Sequence, residues 1–216
     1  MKKFDYDLVV IGGGAAGIAG AMMAAAAKKK VAIIEKDLIG GGNTLCAFSQ
    51  LMAGKISQLL CQAREGSSVG LNSDQLKINL PSMYSEIQNK TEEFIEAKQR
   101  ELNESKIEVI RSSARFISPI EVATEKKTIT AKKFLIASGT TISTGEVAGL
   151  EETGFVTPAE LYLGLPRIPK VALVIGAGQS GVEASEFLAN LGSSVILIEM
   201  NDRILPKEDL EASKII

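Results

Sequence analysis

Apolar and polar positions along the chain fall first into "YDLVVI" (6–11), a short apolar run of the kind that forms a strand buried on both faces. After a glycine-rich stretch, "IAGAMMAAAAKKK" (18–30) consists largely of strong helix formers and ends in three lysines, which suit the negative end of a helix. "VAIIE" (31–35) predicts a second buried strand. The same order returns late in the chain, with a strand over Val171–Ile175, a helix to about Leu191 with Gly192 as its cap, and a strand over Val195–Ile198. Between the copies, "IGGGNTLCAFSQLMAG" (39–54) reads as a loop entering a helix that continues over 56–65, until "EGSSVGLNSDQ" breaks it. A charged segment from about Pro81 to Asn103 carries Met83, Ile87, Phe94, Ile95 and Leu102 near helical spacing, the pattern of a packing helix with a solvated outer face. Three β-like runs, "IEVIRSSARFI", "IEVAT" and "KTITAKKFLIASG", suggest a small meander that returns to a last strand at Phe134–Ala137. Glycine, threonine and proline spread through 140–169 make that segment a connector.

Composition narrows the class. At 216 residues the chain has room for one large domain or two small ones. Aliphatic residues and alanine dominate, tryptophan is absent and charges of both signs are mixed, the profile of a soluble α/β protein. A net charge of −2 supplies no field for nucleic acid or an anionic membrane. The first 27 residues have the lysines and apolar run of a secretory signal, but their glycines and the early Asp5 and Asp7 argue against one. No other segment approaches the ~18 consecutive apolar residues of a membrane span. Cys46 and Cys61 lie too far apart for a C-x-x-C or C-x-x-x-x-C pair, which points to free thiols in a reducing, cytoplasmic compartment. With no histidine anywhere, the commonest general base, the histidine-dependent nucleophile arrangements and the commonest metal ligand are all missing, and no metal site is expected.

The chemistry lies in the glycines. Gly12-x-Gly14-x-x-Gly17 follows the first strand and opens the first helix, and the second strand closes on Glu35. This is the dinucleotide fingerprint: Gly12 permits the tight turn, Gly14 lets backbone approach a pyrophosphate, Gly17 lets helix and strand pack closely, and Glu35 accepts ribose hydroxyls. Gly176-x-Gly178-x-x-Gly181 and Glu199 repeat the arrangement, with 23 residues from first glycine to acid in both copies. Glu199 would repel a 2′-phosphate and no arginine occupies its position, so the second site should prefer NADH over NADPH.

In their order these motifs resemble the class I pyridine nucleotide-disulfide oxidoreductases, the flavoenzyme family of dihydrolipoamide dehydrogenase, mercuric reductase and glutathione reductase type. A double glycine before a helix, a long helix, "IASGTT", "GAGQSGVE" and "DRILPKED" stand where that family has related runs, so the resemblance covers essentially the whole chain. It implies an α/β architecture: a Rossmann-like FAD-binding domain with a β-meander over 1–147, then the first βαβ unit of a second, incomplete NAD-binding domain over 148–216. By resemblance, Gly12, Gly14, Gly17 and Glu35 would hold the ADP half of FAD. Gly42 and Thr44 would approach the pyrophosphate or flavin, Ala114 the adenine, and Ser138 with Gly139 would line the FAD crossing. Gly176, Gly178, Gly181 and Glu199 would hold NADH, and Glu183 matches a glutamate that pairs with a lysine beside the flavin in relatives.

Two departures accompany the resemblance. The family loop reads G-G-x-C-x-x-x-x-C-x-P-S-K. Laid from Gly41-Gly42, it puts Thr44 and Ser49 at the cysteine positions and Leu51, Met52 and Ala53 at the last three; laid from Gly40-Gly41, it puts Asn43 and Phe48 at the cysteine positions. Lys55 lies two residues past the lysine position, and two residues turn a helical side chain by about 200°. Family members are also roughly twice as long, in domains of ordinary size, so the chain reads as a fragment, a shortened paralogue or an engineered version. A two-strand βαβ unit leaves a sheet edge and apolar faces uncovered, which should be poorly ordered or pair with another copy or a complementing chain. The leading expectation is an FAD-dependent, NADH-linked oxidoreductase, or a piece of one, without disulfide activity. The alternative is a catalytically inactive FAD- or ADP-binding module or partner subunit. An FAD-independent single-domain Rossmann protein ranks below both, and a thioredoxin-reductase-like member is disfavoured because the nicotinamide domain has no cysteine. Cys46 and Cys61 read as small buried hydrophobes, and Tyr6, Tyr84 and Tyr162 have no neighbour in sequence that suggests catalysis.

Overall fold

A computed structural model describes residues 3–66, 78–141, 143–144 and 147–216. Much of the break expected after residue 65 therefore lies outside the described residues. The chain divides into two compact units, one made of 1–47 and 89–145, the other of 48–88 and 146–216.

In the first unit, β1 (Tyr6–Ile11), α1 (Ala15–Ala26) and β2 (Val31–Glu35) form a βαβ unit whose strands pair in parallel, Leu8 opposite Val31 and Ile11 opposite Ile34. Helix α2 (Gly42–Glu65) gives its first turns to this unit, and α3 (Leu80–Glu104) its C-terminal part. Strands β3 (Glu108–Arg111), β4 (Arg115–Ser118), β5 (Glu121–Ala123) and β6 (Thr128–Ile136) complete a six-stranded sheet in the order β3-β2-β1-β6-β5-β4. The apolar runs are buried on both faces, as parallel strands require. Val9, Ala32 and Ile34 join Val122 and Ile129 on one face, while Val10, Val31 and Ile33 meet Ala21 of α1 and Leu102 of α3 on the other. Burying these side chains is worth roughly 1.5–3 kcal/mol for each large aliphatic.

Four expectations change here. "IEVIRSSARFI" is not one meander strand: it turns at Ser112 and Ser113, leaving β3 parallel to β2 at one edge of the sheet and β4 antiparallel to β5 at the other. The last strand is nine residues long, and its start pairs antiparallel with β5 while its end pairs parallel with β1. The three lysines follow α1 rather than closing it, because the chain leaves the helix at Ala27 and Lys28 turns to φ +59°. The stretch 39–54 also proves to be helix from Gly42 onward, so the loop is short.

In the second unit, β7 (Val171–Ile175), α6 (Gln179–Asn190) and β8 (Ser194–Ile198) repeat the βαβ plan, with Val171 opposite Ser194 and Ile175 opposite Ile198. Gly192, at φ +99°, ends α6 as a left-handed glycine should. The segment expected as a connector contains α4 (Leu150–Thr153) and α5 (Pro158–Leu163). Thr157 and Glu160 form a reciprocal capping box at the start of α5, with Pro158 at its first position. Tyr162 of this helix is buried and meets Phe187 edge-on, ring centres 5.4 Å apart, and the Tyr84 hydroxyl donates to Leu161 O at 3.1 Å. The last element is α7 (Leu210–Ile215). Val171, Leu173, Ile175, Ile196 and Ile198, alternating along β7 and β8, remain exposed on one apolar sheet face.

Candidate dinucleotide sites

The first glycine loop is built from contacts that no side chain would survive. A Cβ on Gly12, which sits at φ +107°, would lie 2.2 Å from Ala137 O, and one on Gly17 would lie 1.9 Å from Gly12 O. Gly14 differs. Its φ is −79°, an ordinary value, and a Cβ there meets nothing nearer than Gly41 Cα at 3.8 Å. Packing explains Gly12 and Gly17 but does not explain Gly14. Gly14 is also the N-cap of α1, with no side chain capping the helix and no acid in its first turn, so the first N–H groups face outward with the positive end of the helix dipole.

The acid is tied to this loop. Glu35 Oε2 accepts from Gly13 N at 2.6 Å and Oε1 from Asp37 N at 2.8 Å. Ser112 N donates to Glu35 O at 3.0 Å, bringing the segment that leads to Ala114 beside the acid; Ala114 itself packs against the core. Ala137 N donates to Ile11 O at 2.8 Å, so Ser138 and Gly139, both exposed, leave the sheet next to Gly12. Gly40 N donates to Gly13 O at 2.9 Å, and a Cβ on Gly41 would come within 2.6 Å of Gly14 Cα. Gly40 and Gly41, the latter at φ +76°, thus both touch the loop, whereas Gly42 is exposed and has nothing within 4 Å of an added Cβ. Sequence reasoning singled out Gly42 of this run and did not anticipate the contacts of Gly40 and Gly41 with the loop. Thr44 is half-buried in the first turns of α2.

The second loop repeats the plan of the first, without the close approach at its first glycine. Gly176 sits at φ +95°, a Cβ on Gly181 would lie 1.8 Å from Gly176 O, and Gly178, at φ −71°, has nothing within 4 Å of an added Cβ. Glu199 Oε2 accepts from Ala177 N at 2.7 Å, matching the Gly13 bond of the first copy. Its Oε1 accepts from Met200 N and Asn201 N, both at 2.9 Å, and from the Asn201 side-chain amide at 2.6 Å. Backbone donation from Asn201 and Ala177 pulls its carboxyl down to about 2. Asn201 was not anticipated, and nothing in the sequence pattern distinguishes it. Glu183 Oε1 accepts from Gln179 Nε2 at 3.1 Å, while its buried Oε2 has no hydrogen-bond donor among the described residues.

A family model described as "Pyridine nucleotide-disulphide oxidoreductase" matches residues 6–216. The chain belongs to this family. The family comprises flavoprotein oxidoreductases that use FAD with NAD(P)H. Among curated relatives, a mercuric reductase of Bacillus cereus is 34% identical over 99% of this chain and 34% of its own length. A mercuric reductase of Staphylococcus aureus is 30% identical over 98% of this chain and 39% of its own. A dihydrolipoyl dehydrogenase of Corynebacterium glutamicum is 31% identical over 98% of this chain and 46% of its own. The chain thus spans between a third and a half of the length of these three relatives.

Helix α2 carries the residues expected at the cysteine positions of the family loop. Thr44 is half-buried and Ser49 fully buried on α2. Cys46 is half-buried on the same helix, and burial pushes its thiol up, away from the thiolate that redox exchange needs. Cys61 lies 3.7 Å from Glu65 Oε1 on the exposed side of the helix. The Tyr6 hydroxyl donates to Glu108 Oε2 at 2.5 Å, tying the start of β1 to β3 within the first unit. No helix among the described residues is long and apolar enough to cross a membrane.

Proposed function

We propose that this chain is the dinucleotide-handling part of an FAD-dependent, NADH-linked oxidoreductase that lacks the disulphide step. Residues 1–147 hold FAD and residues 148–216 hold NADH. The observation that carries this reading is the pair Gly14 and Gly178, each the one glycine of its loop that neither a close contact nor a positive φ requires. Each leaves bare backbone at a helix start, which suits a pyrophosphate.

Gly12, Gly14, Gly17 and Glu35 grip the ADP half of FAD, with Gly42 and Thr44 toward the pyrophosphate, Ala114 toward the adenine, and Ser138 and Gly139 along the flavin side. Gly176, Gly178, Gly181 and Glu199 do the same for NADH. Bound flavin supplies the acceptor for hydride from the nicotinamide, and the protein supplies orientation. NADH is preferred over NADPH because Glu199 stays ionised where a 2′-phosphate would sit. Arg203 does not offset that charge: its guanidinium donates to Pro206 O at 2.8 Å, Glu208 O at 2.7 Å and Ser213 Oγ. A second reading, a nucleotide-binding module without turnover, is favoured by Thr44 and Ser49 at the cysteine positions and by the absence of histidine.

The visible absorbance of the purified protein, followed by anaerobic addition of NADH, separates the two. A flavin spectrum bleached by NADH supports the oxidoreductase, and a flavin spectrum that NADH leaves unchanged supports the module. A colourless protein that takes up no added FAD refutes both. Reduction of a disulphide substrate by the chain would overturn the loss of the cysteine step.

A further inference from the structure

The two acids that close the βαβ units look equivalent in sequence, but their hydrogen bonds differ. A carboxylate oxygen has about two acceptor positions. Among the described residues, Glu35 has one donor on each oxygen, Asp37 N on Oε1 and Gly13 N on Oε2. One acceptor position stays open on each, and the acid can take two hydroxyls at once. Glu199 also has one donor on Oε2, Ala177 N. Its Oε1 has three: Met200 N, Asn201 N and the Asn201 amide, the last at 2.6 Å. That oxygen is full, and one acceptor position remains in the whole group.

The residues two past each acid, Asp37 and Asn201, account for part of the contrast. An ionised aspartate has no proton to donate to its neighbour, whereas the asparagine amide does. Asp37 instead lies 3.7 Å from Lys36 Nζ.

Resting on the dinucleotide reading above, we infer that the two sites hold the adenosine ribose unequally: Glu35 accepts both ribose hydroxyls, while Glu199, filled on one side by Asn201 and the adjoining backbone, accepts only one. Asn201 is then a specificity-determining residue of the second site, and the second nucleotide is the more tolerant of change at one ribose position.

The test is a titration of the ¹⁵N-labelled chain, freed of nucleotide, with ADP, 2′-deoxy-ADP and 3′-deoxy-ADP. The amide resonances of Gly13 and Ala177, which donate to the two acids, report each site separately without any substitution. A hydrogen bond to a charged acceptor is worth about tenfold or more in affinity. The expected result at Ala177 is that one deoxy analogue binds within about twofold of ADP and the other about tenfold or more weaker, and at Gly13 that both are about tenfold or more weaker. Equal weakening by both analogues at Ala177, or one analogue matching ADP at Gly13, overturns the inference. ADP that shifts Gly13 but never Ala177 overturns it while leaving the first-site reading intact, and ADP that shifts neither refutes the dinucleotide reading with it.

Discussion

Gly12 and Gly14 stand two residues apart in one loop, yet the fold makes opposite demands on them. Gly12→Ala places a Cβ against Ala137 O in a left-handed conformation, so it should destabilise the chain by more than about 2 kcal/mol in urea unfolding. Gly14→Ala meets only an ordinary contact and should stay within about 1 kcal/mol of the parent, while weakening ADP binding at the first site. Equal loss of stability in the two variants would contradict the distinction. Glu199 makes a second prediction at this scale. Its folded-state value lies below the ordinary 4.5, at about 2, so its contribution to stability is present above 4.5 and is lost only as pH falls through about 2. Carboxyl-carbon NMR should therefore show no titration of Glu199 between pH 7 and 4, and a midpoint near 4.5 would refute the bonding described. At this scale the glycine loops and both acids were legible because covalent spacing carries them. Gly41 and Asn201 were not legible, since their roles depend on which atoms the folded chain brings near Gly14 and Glu199.

At the scale of elements, α5 shows how a local signal is passed over. Thr157, Pro158 and Glu160 spell a capping box with proline at the first helical position, but they lie in a stretch whose glycines and prolines read as connector. Thr157→Ala should cost about 1 kcal/mol of stability and speed amide exchange in 158–163 ahead of the neighbouring strands. Beneath that helix, Phe187→Ala removes a ring buried against Tyr162 and should cost about 3–5 kcal/mol in the same measurement. The splitting of 107–117 into β3 and β4 has a different cause. Both halves have strand composition, but β3 pairs with β2, far back in sequence, and β4 with β5. Local pattern says that a residue is extended; it does not name the strand's neighbour.

For the whole molecule, the two glycine loops make a statement about number. Each belongs to its own compact unit, and each has the bare middle glycine, the uncapped helix start and the acid bonded back to the loop. If each is a complete grip for one ADP moiety, the nucleotide-free chain binds two ADP per molecule, and the sites can be removed singly. Valine is the useful substitution, because its Cβ meets nothing within 4 Å at Gly178 and only ordinary contacts with Gly40 and Gly41 at Gly14, at φ values that any residue adopts. Its branched side chain then occupies the volume a diphosphate needs, without the steric conflict that valine would create at Gly12 or Gly17. Equilibrium dialysis should return two ADP for the parent, one for Gly14→Val, one for Gly178→Val and none for the double variant, with unfolding midpoints in the absence of ligand close to the parent's. Saturation at about a hundred times Kd should add about 2.7 kcal/mol to the unit that binds, so each single variant should lose the ligand-induced rise in one unit only. A parent that binds a single ADP, lost on one of these substitutions and indifferent to the other, would mean that the second glycine loop keeps the shape of a nucleotide site without its affinity.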